Sequence, residues 1–277
     1  MKFTSATQLK DWLKNKSKQT RVPANALLQT YMMERLLERM SVSPYRENLI
    51  LKGGFLIAAM VGVDRRSTMD MDTTLKGMVV SHEKLEEVLR EIIAIDVGDG
   101  VSFEFESIQN IRDISEYDDF RVSLKASFHT IHVKMKLDVT TGDTIIPGAI
   151  EYSYPLMFEE RTIPVMAYNL YTILAEKIET ILSRNVTNTR GRDFYDIYML
   201  LSENRSVLSK EELLHALRVK AEERGTARSV ENYEKHLQDI ANSPEVAKIW
   251  ASYARSYSYA KGIALPEILS LTRWVFE

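Results

Sequence analysis

Between Val101 and Val139 the chain alternates apolar and polar residues more strictly than elsewhere, and a period of two selects β-strand over helix. Val101, Phe103 and Phe105 oppose Ser102, Glu104 and Glu106. Phe120, Val122, Leu124, Ala126 and Phe128 oppose Arg121, Ser123, Lys125 and Ser127. Ile131, Val133, Met135, Leu137 and Val139 oppose His132, Lys134, Lys136 and Asp138. The pattern predicts an antiparallel sheet with one packed face and one polar face.

The flanking sequence has helical spacing. Leu9, Trp12 and Leu13 share a face between Ser5 and about Lys18. Pro23 suits a helix start, and Ala24 to Met40 carries a second apolar stripe that Ser43-Pro44 ends. Leu49-Ile50-Leu51 reads as a buried strand leading through Lys52-Gly53-Gly54 into a helix from Phe55 to Met60. Ser81 is a good N-cap for a helix whose stripe is Leu85, Val88, Leu89 and Ile92. The segment from Ile145 to Pro164 holds three prolines and reads as a connector with one short strand. Beyond it the helices expected are Asn169–Leu182, Arg192–Leu201, Lys210–Glu223, Val230–Ile240, Pro244–Ala260 and Pro266–Val275. The expected class is α+β: a mixed or antiparallel sheet with flanking helices over residues 1–160, then a helical bundle over residues 161–277.

The candidate chemistry begins with Arg66-Ser67-Thr68-Met69-Asp70-Met71-Asp72. On a strand, Asp70 and Asp72 share a face while Met69 and Met71 turn towards a core. Two carboxylates held that close repel each other unless a cation lies between them, and Mg²⁺ suits one or two carboxylates plus phosphate oxygens. The alternative is a pair of exposed strand acids. Strand, glycine pair, helix is an order that can offer backbone N–H groups to a phosphate, although turns also use Gly-Gly. Asp138, on the polar face near the end of its strand, could join the pair as a third ligand or be an ordinary surface acid. No His/Glu pair has zinc-ligand spacing.

A second cluster falls in the helical part. Lys177 and Arg184 are seven residues apart, and Arg190-Gly191-Arg192-Asp193 is followed by Asp196. Arginine suits bidentate contact with phosphate and lysine supplies a point charge. Local ion pairing at a helix start would explain the same residues more plainly.

Taken in order, Gly53-Gly54, Arg66-x-Thr68-x-Asp70-x-Asp72, Leu137-Asp138-Val139-Thr140-Thr141-Gly142-Asp143 and the run from Lys177 to Asp196 resemble the AbiEii-type nucleotidyltransferase toxins of abortive-infection and toxin–antitoxin systems. The similarity covers roughly residues 25–200. It implies a polymerase-β-like nucleotidyltransferase core whose cleft the helical domain completes. By resemblance, Gly53, Gly54, Arg66, Thr68, Lys177, Arg192 and Asp193 bind the nucleotide. Asp70 and Asp72, with Asp138, would hold Mg²⁺ or Mn²⁺, and Lys177 together with Asp196 or Asp193 would be needed for activity. Gly54 stands where many nucleotidyltransferases have Ser, which removes a hydroxyl contact. The resemblance further implies an NTP substrate, a cognate antitoxin encoded nearby and an RNA acceptor. The 3′ end of tRNA is the expected acceptor, which would inhibit translation.

The bulk sequence sets limits. Hydrophobic content of 45% and charged content of 27% suit a globular chain. The absence of any run of about 18 apolar residues speaks against a membrane span. Zero cysteines exclude thiolate chemistry and fit a cytoplasmic protein. A net charge of −3 gives no global pull towards nucleic acid. Locally, however, Lys2, Lys10, Lys14, Lys16, Lys18 and Arg21 face Asp11 alone, and Arg121, Lys125, Lys134 and Lys136 line the polar sheet face. Two other readings use the same residues: a metal-dependent nuclease, and a nucleotide-binding protein that acts by partner contact without catalysis.

Overall fold

The computed structural model describes residues 3–79, 81–111 and 119–277; Lys2 of the basic segment lies outside them. By contacts the chain divides into two units, Met1–Asp143 with Ala149–Ala167, and Thr144–Gly148 with Tyr168–Glu277.

The first unit opens with α1 (Ala6–Thr20) and α2 (Ala24–Val42). Ser5 caps α1 by accepting from the Gln8 N–H, and Arg21 closes it in the left-handed region. β1 (Leu49–Lys52) runs directly into α3 (Gly53–Val61), followed by β2 (Met71–Leu75) and α4 (His82–Ala94). Four further strands complete the sheet before β7: β3 (Val101–Asn110), β4 (Phe120–Phe128), β5 (Ile131–Thr141) and β6 (Ile150–Pro155). With β7 (Thr162–Ala167), the described residues form one sheet in the order β3-β4-β5-β2-β1-β7-β6.

The alternating stretches form the β3-β4-β5 meander, and β4 buries every second residue from Phe120 to Phe128. The sheet is mixed, since β2–β5 and β1–β7 pair in parallel. The proline-containing connector holds two strands rather than one. Its prolines fall on the outer β6–β7 pair, where Pro155 ends β6 and Pro164 pairs with Ser153.

α2 is buried on most of its circumference, and its charged residues are paired accordingly. Arg39 grips Asp99 with two hydrogen bonds of 2.7 and 2.9 Å and donates to the Val101 carbonyl, pinning α2 to the start of β3. Arg35 pairs with Glu159 at 2.7 Å and with Glu38 at 3.2 Å, and Arg161 binds Glu38 and Glu159. Glu34 Oε1 accepts from the Met157 N–H, while its other oxygen is buried with no hydrogen-bond partner. Burial pushes the Glu34 carboxyl up to about 8, against the pull of the Met157 N–H and Arg35.

A carboxyl with a raised folded-state value contributes stability that is complete below its unfolded value, near pH 4.5, and is lost as pH rises through about 8. Glu159 is held down to about 2 by Arg161 and Arg35 against its own burial, so its contribution is lost only on acidification below about pH 4.5. Glu34→Gln, which mimics the protonated acid, should therefore match the wild type most closely at about pH 4, below the unfolded value. At pH 8 it should melt at least a few degrees higher, which thermal unfolding at the two pH values checks.

The second unit is helical: α5 (Leu170–Arg184), α6 (Gly191–Asn204), α7 (Lys210–Glu223), α8 (Ala227–Glu231), α9 (Tyr233–Asn242), α10 (Pro244–Ser256) and α11 (Leu265–Trp274). Short 3-10 turns cover Asn185–Thr187 and Ser258–Ala260. Asn169, Ser209 and Ser243 cap α5, α7 and α10. The expected Val230–Ile240 helix divides into α8 and α9 at Asn232, and the expected Pro244–Ala260 helix stops at Ser256.

Candidate active site

Strand register assembles the first cluster. Arg121 pairs with Asp138 across β4–β5, Asp138 with Asp72 across β5–β2, and Asp72 with Lys52 across β2–β1. Residues directly opposite one another point to the same face, so Arg121, Asp138, Asp72 and Lys52 form a polar row across four strands. Asp70 lies one residue before β2 and belongs to this face. It lines a concavity of about 420 Å³ with Ser123, Lys134 and Lys136, which alternate in step with Arg121 and Asp138. The two methionines part company: Met71 is fully buried, but Met69 is 44% exposed because the chain there has not yet entered the strand.

The glycine pair abuts this row. Gly53 has φ +70, and a Cβ added to it would lie 2.2 Å from Asp72 Oδ2. The backbone at the start of α3 thus occupies the space beside the Asp72 carboxylate, an approach available only to glycine. A Cβ on Gly54 would come within 3.1 Å of Thr68 Oγ1 and 3.2 Å of Arg66 Nη2. Gly53, Gly54, Arg66, Thr68 and Asp72 are therefore brought together, with Arg66 only 4% exposed. Gly53→Ala should lower stability by about 1–2 kcal/mol through its backbone and displace Asp72 as well. Melting and ligand titration of the variant would separate the two effects; Gly54→Ala, with φ in the ordinary range and only side chains to move, should cost less.

Asp138 is held by Arg121 in a two-bond fork of 2.8 and 2.7 Å. The bond to Asp138 raises Arg121, and the charges of Asp138, Asp70 and Asp72 add to the effect. Each Asp138 oxygen accepts one of these bonds and keeps a second lone pair, while the guanidinium offsets the charge that a metal or a proton would meet there. The fork also offsets the charge of Arg121, which stays on the polar face with its side chain 42% exposed.

Sequence reasoning missed a neighbouring network. Asp143 accepts from Lys52 Nζ, from Thr140 Oγ1 and, at 2.8 Å, from Thr74 Oγ1. Lys52 Nζ also reaches Thr140 Oγ1 at 2.6 Å, and the Lys52 and Asp143 side chains are 11% and 13% exposed. The available signal is a charged residue ending the apolar run Leu49-Ile50-Leu51, next to the glycine pair.

In the second unit Lys177, Asp193 and Asp196 converge. Lys177 Nζ lies 2.6 Å from Asp193 Oδ1 and 2.9 Å from Asp196 Oδ2. The carboxylates are 3% and 0% exposed and the lysine 17%. Asp196 turns inward to Lys177, while Arg192, Arg190 and Arg184 are exposed. Gly191 starts α6 hard against α10, since a Cβ there would lie 2.6 Å from Tyr253 Cβ.

Among the described residues no three His, Asp or Glu side chains form a ready-made metal cage. The donor set of Asp70 and Asp72, hard oxygens beside a glycine backbone, nevertheless fits Mg²⁺, which takes few protein carboxylates and fills its remaining positions with water or substrate phosphate.

A seven-stranded mixed sheet with a register-matched carboxylate pair, followed by a helical unit, is the α+β fold of the nucleotidyltransferases. Two solved structures from Helicobacter pylori match it. One is a candidate nucleotidyltransferase, 14% identical with a TM-score of 0.52, the match covering 92% of this chain and 96% of that one. The other, JHP933, is 13% identical with a TM-score of 0.51, covering 92% and 93%. No curated protein matches the chain. The family model described as "Nucleotidyl transferase AbiEii toxin, Type IV TA system" matches residues 35–269. The chain belongs to that family. No helix among the described residues is long and apolar enough to cross a membrane.

Proposed function

We propose that this protein is a metal-dependent nucleotidyltransferase toxin that moves a nucleoside monophosphate from an NTP to an RNA hydroxyl, and that a cognate antitoxin restrains it. The observation carrying the reading is the Gly53 backbone pressed against the Asp72 carboxylate, in register with Asp138 and Lys52 and beside a concavity lined by Asp70 and two lysines. The acceptor oxygen forms a bond to the α-phosphorus as the bond to the β-phosphate oxygen breaks. The hydroxyl proton passes to solvent or a carboxylate, and pyrophosphate leaves.

Asp70 and Asp72 would hold Mg²⁺ or Mn²⁺, which when bound neutralises charge building on the departing phosphates. Gly53 and Gly54 let backbone approach the phosphates, and the buried Arg66 and Thr68 fix the loop that leads into Asp70. Lys177 is our candidate for gripping the β and γ phosphates, with the exposed Arg192 assisting. Asp193 and Asp196 orient Lys177. Asp138, paired with Arg121, would take the hydroxyl proton or complete a second metal site.

For the acceptor we propose the 3′ end of tRNA, with translation as the process inhibited. Support comes from the exposed Lys10, Lys14, Lys18 and Arg21 on or just after α1, and from Lys125, Lys134 and Lys136 on the sheet. Incubation with each α-labelled NTP, Mg²⁺ and total RNA tests the reading in one gel. Lengthened, labelled RNA that requires NTP is expected. Shortening without NTP would replace the reading with a nuclease.

A further inference from the structure

The helical unit contains a run of aromatic rings that the transfer chemistry does not use. Tyr195, 1% exposed on α6, lies 4.8 Å from Tyr259 and 6.0 Å from Tyr253 between ring centres. Tyr253 is 4.7 Å from Tyr257, and Tyr257 stacks on Tyr259 at 5.2 Å with planes 22° apart. The cluster is graded: Tyr195 is enclosed, Tyr253 and Tyr259 are half-buried, and Tyr257 at the outer end is 38% exposed. Core packing accounts for the inner rings. It does not account for a tyrosine stack that ends in solvent.

The segments that carry and meet these rings are rich in cations. Residues 246–266, which carry the outer three rings, include Lys248, Arg255 and Lys261 and no acid. Residues 180–192, which meet them where Gly191 touches Tyr253, include Arg184, Arg190 and Arg192 and again no acid. All six cations are exposed. Of the acids that border these segments, Asp193 and Asp196 are buried on Lys177, Asp239 binds the Asn185 amide, and the exposed Glu245 and Glu267 accept from Ser243 and Tyr198. Stacked rings beside six exposed cations suit a strand that offers both unpaired bases and phosphates.

We infer that the Tyr253–Tyr257–Tyr259 stack is a platform for single-stranded RNA, with an unpaired base lying on Tyr257 and the flanking phosphates on Arg255 and Lys261. The assignment rests on the reading of RNA as acceptor and names the surface that would hold it. A duplex keeps its bases stacked on one another and gains only the phosphate contacts.

The test is fluorescence anisotropy of the full-length protein with a labelled twelve-nucleotide single-stranded RNA and its duplex, across a KCl series. The single strand should bind more tightly. Tyr257→Ala, an exposed change with an unaltered melting temperature, should weaken it roughly tenfold or more. Tyr257→Trp should restore binding and Tyr257→Leu should not. Arg255→Gln with Lys261→Gln should flatten the log K against log salt slope by about 1.4. Equal binding of duplex, a Tyr257→Ala affinity within twofold of wild type, or rescue by Leu would overturn the assignment. If NTP-dependent RNA lengthening persists while Tyr257→Ala binds normally, the platform fails and transfer stands. If Tyr257-dependent binding is found but no NTP supports lengthening, the platform stands and transfer fails.

Discussion

Asp72→Ala should reduce nucleotidyl transfer by about 10³-fold or more while leaving the protein folded. Chemistry of this type is mostly positioning and charge neutralisation, so losing one of two metal-holding carboxylates removes several kcal/mol of transition-state stabilisation. Stability has less to lose. Asp72 is half-buried at the polar face, and its removal leaves the apolar face of the sheet, from Met71 to Leu137 and Val122, intact. Lys52 keeps Asp143 and Thr140 as partners. Asp70→Ala should behave alike, with a still smaller effect on melting because Asp70 is exposed. A labelled-NTP assay beside thermal unfolding of the same preparations checks both halves. Activity within tenfold of wild type would remove Asp72 from the mechanism.

Lys177→Met should cost both stability and activity. The ammonium is shared by Asp193 and Asp196, and one oxygen of Asp193 already lacks a hydrogen-bond partner. Withdrawing the cation from two buried carboxylates should cost about 3–5 kcal/mol, a fall in melting temperature on the order of 10 °C. Converting both acids to amides in the Lys177→Met background removes the buried charge and should return most of the stability. The triple variant then separates roles. If Lys177 contacts the nucleotide, transfer stays lost in a stable protein. If it only holds α5 to α6, transfer returns with the fold.

The sequence made some of this arrangement legible and hid the rest for identifiable reasons. The β3-β4-β5 meander was readable because alternation over six residues in the first stretch and nine in each of the other two has no helical equivalent. Its register was readable too: a two-residue turn at His129-Thr130 pairs Phe128 with Ile131, and counting back pairs Arg121 with Asp138. The fork was therefore available, although Arg121 reads first as an exposed cation. β6 and β7 were obscured by Pro155 and Pro164, which argue against a strand unless its outer position in the sheet is known. Lys52 and Asp143 lie ninety-one residues apart, and their contact depends on β1 and β5 both flanking β2, a pairing order that periodicity does not encode. Lys177, Asp193 and Asp196 were legible as a group, but not that the acids turn inward to the lysine while the arginines remain in solvent. The three rings of the tyrosine platform are close in sequence, but periodicity carries the helix on to Ala260 and so hides the turn after Ser256 that brings Tyr257 and Tyr259 together.

The central claim is that Asp70 and Asp72 hold a metal–nucleotide complex against the glycine turn. Calorimetric titration of a non-hydrolysable NTP analogue into the wild type and the Asp70→Ala/Asp72→Ala protein, with and without Mn²⁺, measures this directly. Saturable binding to the wild type that requires the metal is expected, with loss of the metal-dependent part in the double variant and its melting temperature preserved. Equal metal-dependent binding by the two proteins would contradict it.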